Sequence, residues 1–466
     1  MAMADIGLYG LGTMGRALAL NLADKGFSVA VSNRETEWID PFLQQAETVS
    51  TRIDGHADLE GFVQALARPR AVLFMIPSGA PLNEMITRIL PLLEPGDMVI
   101  DGGNADFHET RRRSAALSEQ GVHFVGMGVS GGEEGARFGP SLMVGGSAEA
   151  WDRLRPMAEA IAARYEGAPC VAHLGPDGAG HFVKTVHNGI EYADMQIIAE
   201  LYGLMRDQMN MPAKDIGAVF DGWRRGPLAS YLLDVTYTVL QADDAETSAP
   251  IVDMIEDKAG QKGTGRWTLV EALNLGQSAS IIEAAVGARS WSAEQALRMS
   301  GLLPRAAGEA PPPRIEDLAD ALHAARILAH AQGFQILKAA SEHYGWALDL
   351  ARIAEIWRAG CIIRSALLDD IAAAAHEDSP HGHLIATPQL RDPLSQALAG
   401  LRGVVVSCVG CGQPVPALSA AVAWYDTLAL ERGTTNLIQA QRDFFGAHGF
   451  ARIDQAGKHH GPWHRR

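Results

Sequence analysis

Ile6-Gly7-Leu8-Tyr9-Gly10-Leu11-Gly12-Thr13-Met14-Gly15 decides how the first third of the chain is read. A short apolar run ends in a full G-x-G-x-x-G, and helix-forming residues follow it. Each glycine then has a task. Gly10 permits the tight turn, Gly12 lets the backbone approach a pyrophosphate, and Gly15 lets a helix lie close on the sheet. The first helical turn offers free N–H groups to phosphates. A plain strand-to-helix turn is the bland alternative.

Working outward, apolar runs at Ile6–Tyr9, Ser28–Ser32, Ala71–Ile76, Met98–Asp101 and His123–Val125 alternate with helical stretches. That alternation predicts βαβ units on a parallel sheet. The second run ends in Val31-Ser32-Asn33-Arg34-Glu35. An acid at this point meets the ribose 2′-hydroxyl of NAD, whereas an arginine suits the 2′-phosphate of NADP. Arg34 therefore points to NADP, while Glu35 and Glu37 would repel a phosphate if they turned inward. Arg34 as a solvated loop charge is the other reading.

From about Gly178 to Arg432 β-like runs nearly vanish and helical spacing dominates. A Pro-rich stretch between Leu302 and Asp317 reads as an exposed loop. The last thirty or so residues are polar and glycine-punctuated, so they are expected to pack on something other than a local core. At 466 residues the chain is too long for one ordinary core. A formal net charge of −16 makes a nucleic-acid binder a poor reading and means that an anionic substrate needs a local cationic site. Four cysteines are too few for a disulfide scaffold and fit a reducing compartment. Cys408 and Cys411 form one C-x-x-C, weak as a zinc or redox signal without a second pair. The N-terminus lacks a basic region followed by an apolar run, and prolines and glycines interrupt the apolar stretch Gly403 to Trp424, so a cytoplasmic protein is expected.

The segment running from Asp177 to Tyr192 opens a long helix. Lys184, His187, Asn188 and Glu191 fall at i, i+3, i+4 and i+7 and share one face, with Phe182, Val183, Val186, Ile190 and Ile197 on the other. A lysine, a glutamate and two polar groups are thus aimed at one place; a merely solvated charged face is the alternative. Gly128 to Arg137 is a Gly-rich loop whose amides and Ser130 could hold a carboxylate. Gly260 to Trp267 carries Lys262 and Thr264 in a second one, suited to a phosphate or simply a turn.

Taken with GLGTMG, NRE and DGGN (Asp101 to Asn104), the blocks GVSGGEEGAR, GPSLM, GAGHFVKTVHNGIEY, GQKGTGRW, GCIIRS and LIQAQRDFFGAH run in the order found in one family. Over nearly the whole chain the sequence resembles the 6-phosphogluconate dehydrogenases, of the β-hydroxyacid dehydrogenase group. The resemblance implies an α/β Rossmann-type dinucleotide-binding domain (1–177), a large all-α substrate and dimerisation domain (178–434) and a C-terminal tail (435–466) that reaches a partner subunit. It implies NADP held by Gly10, Leu11, Gly12, Thr13, Met14, Gly15, Asn33, Arg34, Glu35, Met75 and Asn104. It assigns Lys184 as general base and Glu191 as the acid that protonates the enediol. Asn104, Ser130, Gly131, Gly132, His187 and Asn188 would hold the substrate's carboxylate and hydroxyls. Tyr192, Lys262, Thr264 and Arg289 would hold the phosphate of 6-phosphogluconate, joined by Arg442 and His448 from the partner in a homodimer. No metal is required. Glu35 departs from a usual threonine, Pro77 from a usual lysine and Lys258 from a usual small residue. Another β-hydroxyacid dehydrogenase, use of NAD, or a catalytically silent sensor are the competing readings.

Overall fold

The structure is a computed structural model describing residues 3–261, 263–303, 308, 310–377 and 379–464. Its strands are β1 (Ile6–Tyr9), β2 (Val29–Ser32), β3 (Ile53–Gly55), β4 (Ala71–Phe74), β5 (Met98–Asp101), β6 (His123–Val129), β7 (Leu142–Gly145), β8 (Arg164–Tyr165), β9 (Ala168–Pro169) and β10 (Val171–Gly175). Eight of them form one sheet in the order β10-β7-β6-β5-β4-β1-β2-β3, and β8 pairs with β9 as a separate hairpin.

The apolar runs are continuous because both faces of the sheet are covered. Ile6 and Leu8 of β1 point into one core with Leu73, Met98 and Ile100. Tyr9 of β1 points into another with Phe62, Val72, Phe74 and Val99. The chain reverses direction in the sheet between β1 and β4, so the glycine turn after β1 opens onto the crevice where a dinucleotide binds in such sheets.

The all-parallel expectation needs correction. β7 runs antiparallel to β6, with Gly126 opposite Gly145 and Val129 opposite Leu142. β3, β7 and β10 were not expected as strands. β3 is three residues long, and β7 is a short, fully buried run without alternation. β6 also runs four residues beyond the expected Val125, and those residues carry the chain to Ser130.

Helices follow. The two longest, Ala179–Asp207 and Ile315–Tyr344, pack side by side at the centre of the helical half. Gly333 of the second admits the Ile190 side chain of the first, since a Cβ there would lie 2.5 Å from Ile190 Cδ1. Residues 180–190 of the first helix are buried on every side. Over these residues the polar face is enclosed along with the apolar one, which runs against the alternative of a merely solvated charged face. Helix Pro388–Cys411 is long and apolar enough by composition to span a membrane, and here it lies along Ile315–Tyr344.

Helix Thr435–Gly446 buries only Asp443 and half-buries Gln439 and Ala440, and the segment has a polar centre of its own. The Asp443 carboxylate accepts from Gly449 N, Gly461 N, His460 Nδ1 and Trp463 Nε1.

Candidate active site

The glycine turn after β1 is closed on three sides and open on one. A Cβ on Gly10 (φ 111°) would lie 2.5 Å from Met75 O, and one on Gly15 would strike Gly10 O. At Gly12 nothing lies within 4 Å. The open side is the one a pyrophosphate would take, beside the exposed N-terminus of helix Thr13–Asp24. The buried Asn33 accepts from Leu11 N through Oδ1 at 2.8 Å, tying the end of β2 to the turn. A cleft of about 270 Å³ opens here, lined by Gly10, Gly12, Asn33, Arg34, Glu35 and Met75 among others. Trp38 and Arg88 also line it and were not expected. Arg34 Nε donates to Glu35 Oε1 at 2.7 Å, and Asn33 Nδ2 lies 3.3 Å from Glu35 Oε2. The geometry of this turn fits a dinucleotide.

The second half of the site hangs on helix Ala179–Asp207. Its first turns lie against β6 and β7 with glycine on both sides. A Cβ on Gly180 would come within 2.5 Å of Gly126 O and Gly145 N, and a Cβ on Gly128 within 2.5 Å of Lys184 Cβ. That contact sets the lysine beside the residue that follows β6. Lys184 Nζ donates to Ser130 Oγ at 2.9 Å and lies 3.4 Å from His187 Nδ1. His187 Nε2 lies 3.3 Å from Ser130 Oγ, and its Nδ1 is 3.1 Å from Asn188 Oδ1 and 3.7 Å from Glu191 Oε2.

Burial governs the ionisation of this group. It pushes the Lys184 amine down, against the pull of Glu191 and Cys361. It pushes His187 well below its usual range, reinforced by Lys184. The same burial raises Glu191, with Lys184 and Arg289 opposing. An amine biased toward the free base and a carboxyl biased toward the acid, on one helix face, can move protons in both directions.

One turn further on, the Arg289 guanidinium lies 3.5 Å from the centroid of the Tyr192 ring. Gly265 closes on the same ring, where a Cβ would be 2.8 Å from Tyr192 Cδ2, and Thr264 precedes it as the first residue of helix Thr264–Asn274. Tyr192, Thr264 and Arg289 thus converge next to the lysine–glutamate face. Lys262 lies outside the described residues.

Two family models match: the NAD binding domain of 6-phosphogluconate dehydrogenase over residues 5–175, and the 6-phosphogluconate dehydrogenase C-terminal domain over residues 180–463. The chain belongs to the 6-phosphogluconate dehydrogenases. It is 44% identical to the NADP(+)-dependent, decarboxylating 6-phosphogluconate dehydrogenase of Bacillus subtilis, over 99% of this chain and 100% of that one. It is 41% identical to the NAD(+)-dependent, decarboxylating enzyme of the same organism, over 98% and 99%. A solved structure of the Plasmodium falciparum 6-phosphogluconate dehydrogenase, studied in apo form and with NADP+ or 6-phosphogluconate, superposes with a TM-score of 0.94 at 38% identity, covering 98% of this chain and 100% of that one.

The remaining residues singled out in the sequence fall into two sets. Asn104 stands exposed on the loop after β5, which is shaped by the Asp101 carboxylate accepting from Gly103 N at 3.0 Å. Gly131 (φ 102°) and Gly132 (φ 64°) turn the chain into helix Gly132–Phe138, and Gly131 faces Gly360 O. Arg442 and His448 stand apart. Arg442 Nη1 bonds Gln439 Oε1 at 3.1 Å, and His448 touches Gly446 and the Phe445 ring. Among the described residues, neither touches the group around Lys184 within one chain. Cys361 and Trp357 were missed as parts of the site: the Trp357 ring meets the His187 ring edge-on at 5.4 Å, and the Cys361 thiol, pushed by burial up to about 12 and so neutral, donates to Trp357 O at 3.0 Å. The block Gly360 to Ser365 contained Cys361, and nothing in the sequence signalled Trp357. Cys408 and Cys411 are free thiols near the end of helix Pro388–Cys411.

Proposed function

We propose that this chain oxidises and decarboxylates 6-phospho-D-gluconate to D-ribulose 5-phosphate and carbon dioxide, with NADP as hydride acceptor. The observation that carries this reading is the pairing of Lys184 and Glu191 on one buried helix face, with opposite shifts in acidity. The coenzyme, when bound, takes up a hydride from C3. Neutral Lys184 removes the C3 hydroxyl proton as that hydride departs. The product is a 3-keto acid whose ketone lies β to the carboxylate, so loss of carbon dioxide leaves its electron pair delocalised onto the C3 oxygen. Lys184, now an ammonium, offers its proton to that oxygen. Glu191 then protonates the carbon that carried the carboxylate while the enol hydroxyl returns its proton to Lys184, which restores the ketone. Ser130, Asn104, the amides of Gly131 and Gly132, His187 and Asn188 orient the carboxylate and hydroxyls. Neutral His187 can donate or accept without adding a charge beside the base.

Tyr192, Thr264, Arg289 and Lys262 would take the phosphate, which supports this substrate over another β-hydroxy acid. Arg34 supports NADP, and the two Bacillus subtilis relatives, one named for each coenzyme, make this a property to measure. The division into units 1–177, 178–434 and 435–466 belongs to the same reading. So does a homodimer in which Arg442 and His448 complete the partner's site: helix Thr435–Gly446 exposes Leu437, Ile438, Phe444 and Phe445, an apolar face that a second copy would cover. Cytoplasmic work fits the reduced thiols. The test is an absorbance assay for reduced nicotinamide with purified protein, 6-phosphogluconate and each coenzyme. Absence of turnover with both would refute the assignment.

A further inference from the structure

Asp443 is the one residue of helix Thr435–Gly446 whose side chain is buried, at 1% exposure. Four N–H donors converge on its carboxylate. Oδ1 accepts from Gly449 N at 2.8 Å and His460 Nδ1 at 2.6 Å. Oδ2 accepts from Gly461 N at 2.8 Å and Trp463 Nε1 at 3.1 Å. Phe450 and His459 exchange backbone hydrogen bonds at 2.8 Å, closing the loop between the first donor and the second. The residues beside this knot are the two assigned to the phosphate. Arg442 precedes Asp443, and His448 precedes Gly449. Gln439 links them again: its Oε1 accepts from Arg442 Nη1 at 3.1 Å and its Nε2 donates to Gly449 O at 2.6 Å. Trp463 also packs near Phe444 and Phe450, but a segment this exposed and short of an aliphatic core would otherwise have to be ordered at each binding event, which weakens binding.

We propose that Asp443 is a positioning residue whose carboxylate ties residues 442–463 into a preformed clip that presents Arg442 and His448 to the substrate's phosphate in a second copy of the chain. This rests on the reading of the tail given above. The carboxylate also satisfies its own electrostatics. A buried anion next to a phosphate site would repel the ligand, and four N–H donors offset that charge locally.

Full-length Asp443→Asn, Arg442→Ala and the double variant are compared with the parent for kcat, for KM toward 6-phosphogluconate and NADP, and for inhibition by inorganic phosphate. An amide in place of the carboxylate sets an NH₂ against two of the four donors. Asp443→Asn is expected to raise the KM for 6-phosphogluconate about tenfold, to weaken phosphate inhibition alike, and to leave the KM for NADP within about twofold. Because Asp443 acts through Arg442, the double variant should be no worse than Arg442→Ala alone, within about twofold. Multiplying losses would mean that the two act separately and would overturn the proposal. A normal KM in Asp443→Asn, with a raised one in Arg442→Ala, overturns the clip while the tail's role stands. A normal KM in Arg442→Ala removes the tail's role and the clip with it. If Asp443→Asn fails to fold, His460→Ala and Trp463→Phe each delete one donor. A raised KM for 6-phosphogluconate in either supports the clip, and unchanged values in both, beside an impaired Arg442→Ala, overturn it.

Discussion

Lys184 and Ser130 are hydrogen-bonded at 2.9 Å across the contact between the long central helix and the end of β6. The amine is held by a neutral hydroxyl in a buried setting, which favours its unprotonated form. Lys184→Met should lower turnover by at least about 100-fold, the usual cost of deleting a general base. Coenzyme binding, followed by fluorescence titration, should change little. A variant retaining a tenth of the parent rate would place the base elsewhere.

Glu191 governs the second proton transfer and also acts on the first. Its charge pulls the Lys184 pKa upward against burial. In the parent, kcat/KM should rise with pH as Lys184 loses its proton, with a midpoint below the ordinary lysine value. Glu191→Gln removes the attraction, so the same limb should move to still lower pH. Formation of ribulose 5-phosphate should be lost, with slow redox exchange on a 3-keto substrate surviving. A glutamine variant with the parent's rate and profile would contradict both roles.

Gly128 should tolerate no side chain. A Cβ there would lie 2.5 Å from Lys184 Cβ, so Gly128→Ala must displace the helix or the strand. Such overpacking typically costs about 1–3 kcal/mol. Displacing a catalytic group by about 1 Å can cost on the order of 100-fold in rate. The expected result is a modest fall in melting temperature with a large fall in kcat and an unchanged KM for NADP. A fully active alanine variant would show that the contact has slack.

Arg34 and Glu35 form an ion pair at the mouth of the coenzyme cleft. A 2′-phosphate would have to share Arg34 with that carboxylate. Arg34→Ala should weaken NADP far more than NAD, whereas Glu35→Thr should strengthen NADP and not NAD. Equal loss of both coenzymes in Arg34→Ala would mean that it does not meet the 2′-phosphate.

Shared sites can be tested by complementation. Co-expressed Lys184→Met and Arg442→Ala chains should form a hetero-dimer with one doubly damaged site and one intact site. Activity should return to about half the parent's per dimer if each site acts independently. A verified hetero-dimer that stays inactive would show that the tail serves its own chain.

The sequence disclosed the elements whose signals are local. Gly10, Gly12 and Gly15 were legible because a turn, a close approach and a helix contact each demand glycine at a fixed offset. Lys184, His187, Asn188 and Glu191 were legible because helical spacing brings them together. Strands β3 and β7 were not, since Ile53-Asp-Gly and Leu142-Met-Val-Gly are too short to show a period. Cys361 and Trp357 reach the site from more than 150 positions beyond Lys184, and no local pattern encodes such a meeting. The polar centre at Asp443 was missed for another reason. A search for apolar cores passes over a segment centred on one carboxylate and its four donors.

The glycine-lined contact of Gly126, Gly128, Gly145 and Gly180 has one more consequence. Backbone meets backbone at Gly145 and Gly180, while Gly126 closes on the His181 ring and Gly128 on the Lys184 stem, so little compressible material is left to absorb a shift. The lysine is mounted on the joint itself. A tilt of the sheet against the helices cannot be dissipated before it reaches the amine, which makes this seam an unsuitable hinge. Opening and closing around ligands must be accommodated where side chains or loops supply the compliance, leaving the base and its serine in fixed alignment through the cycle.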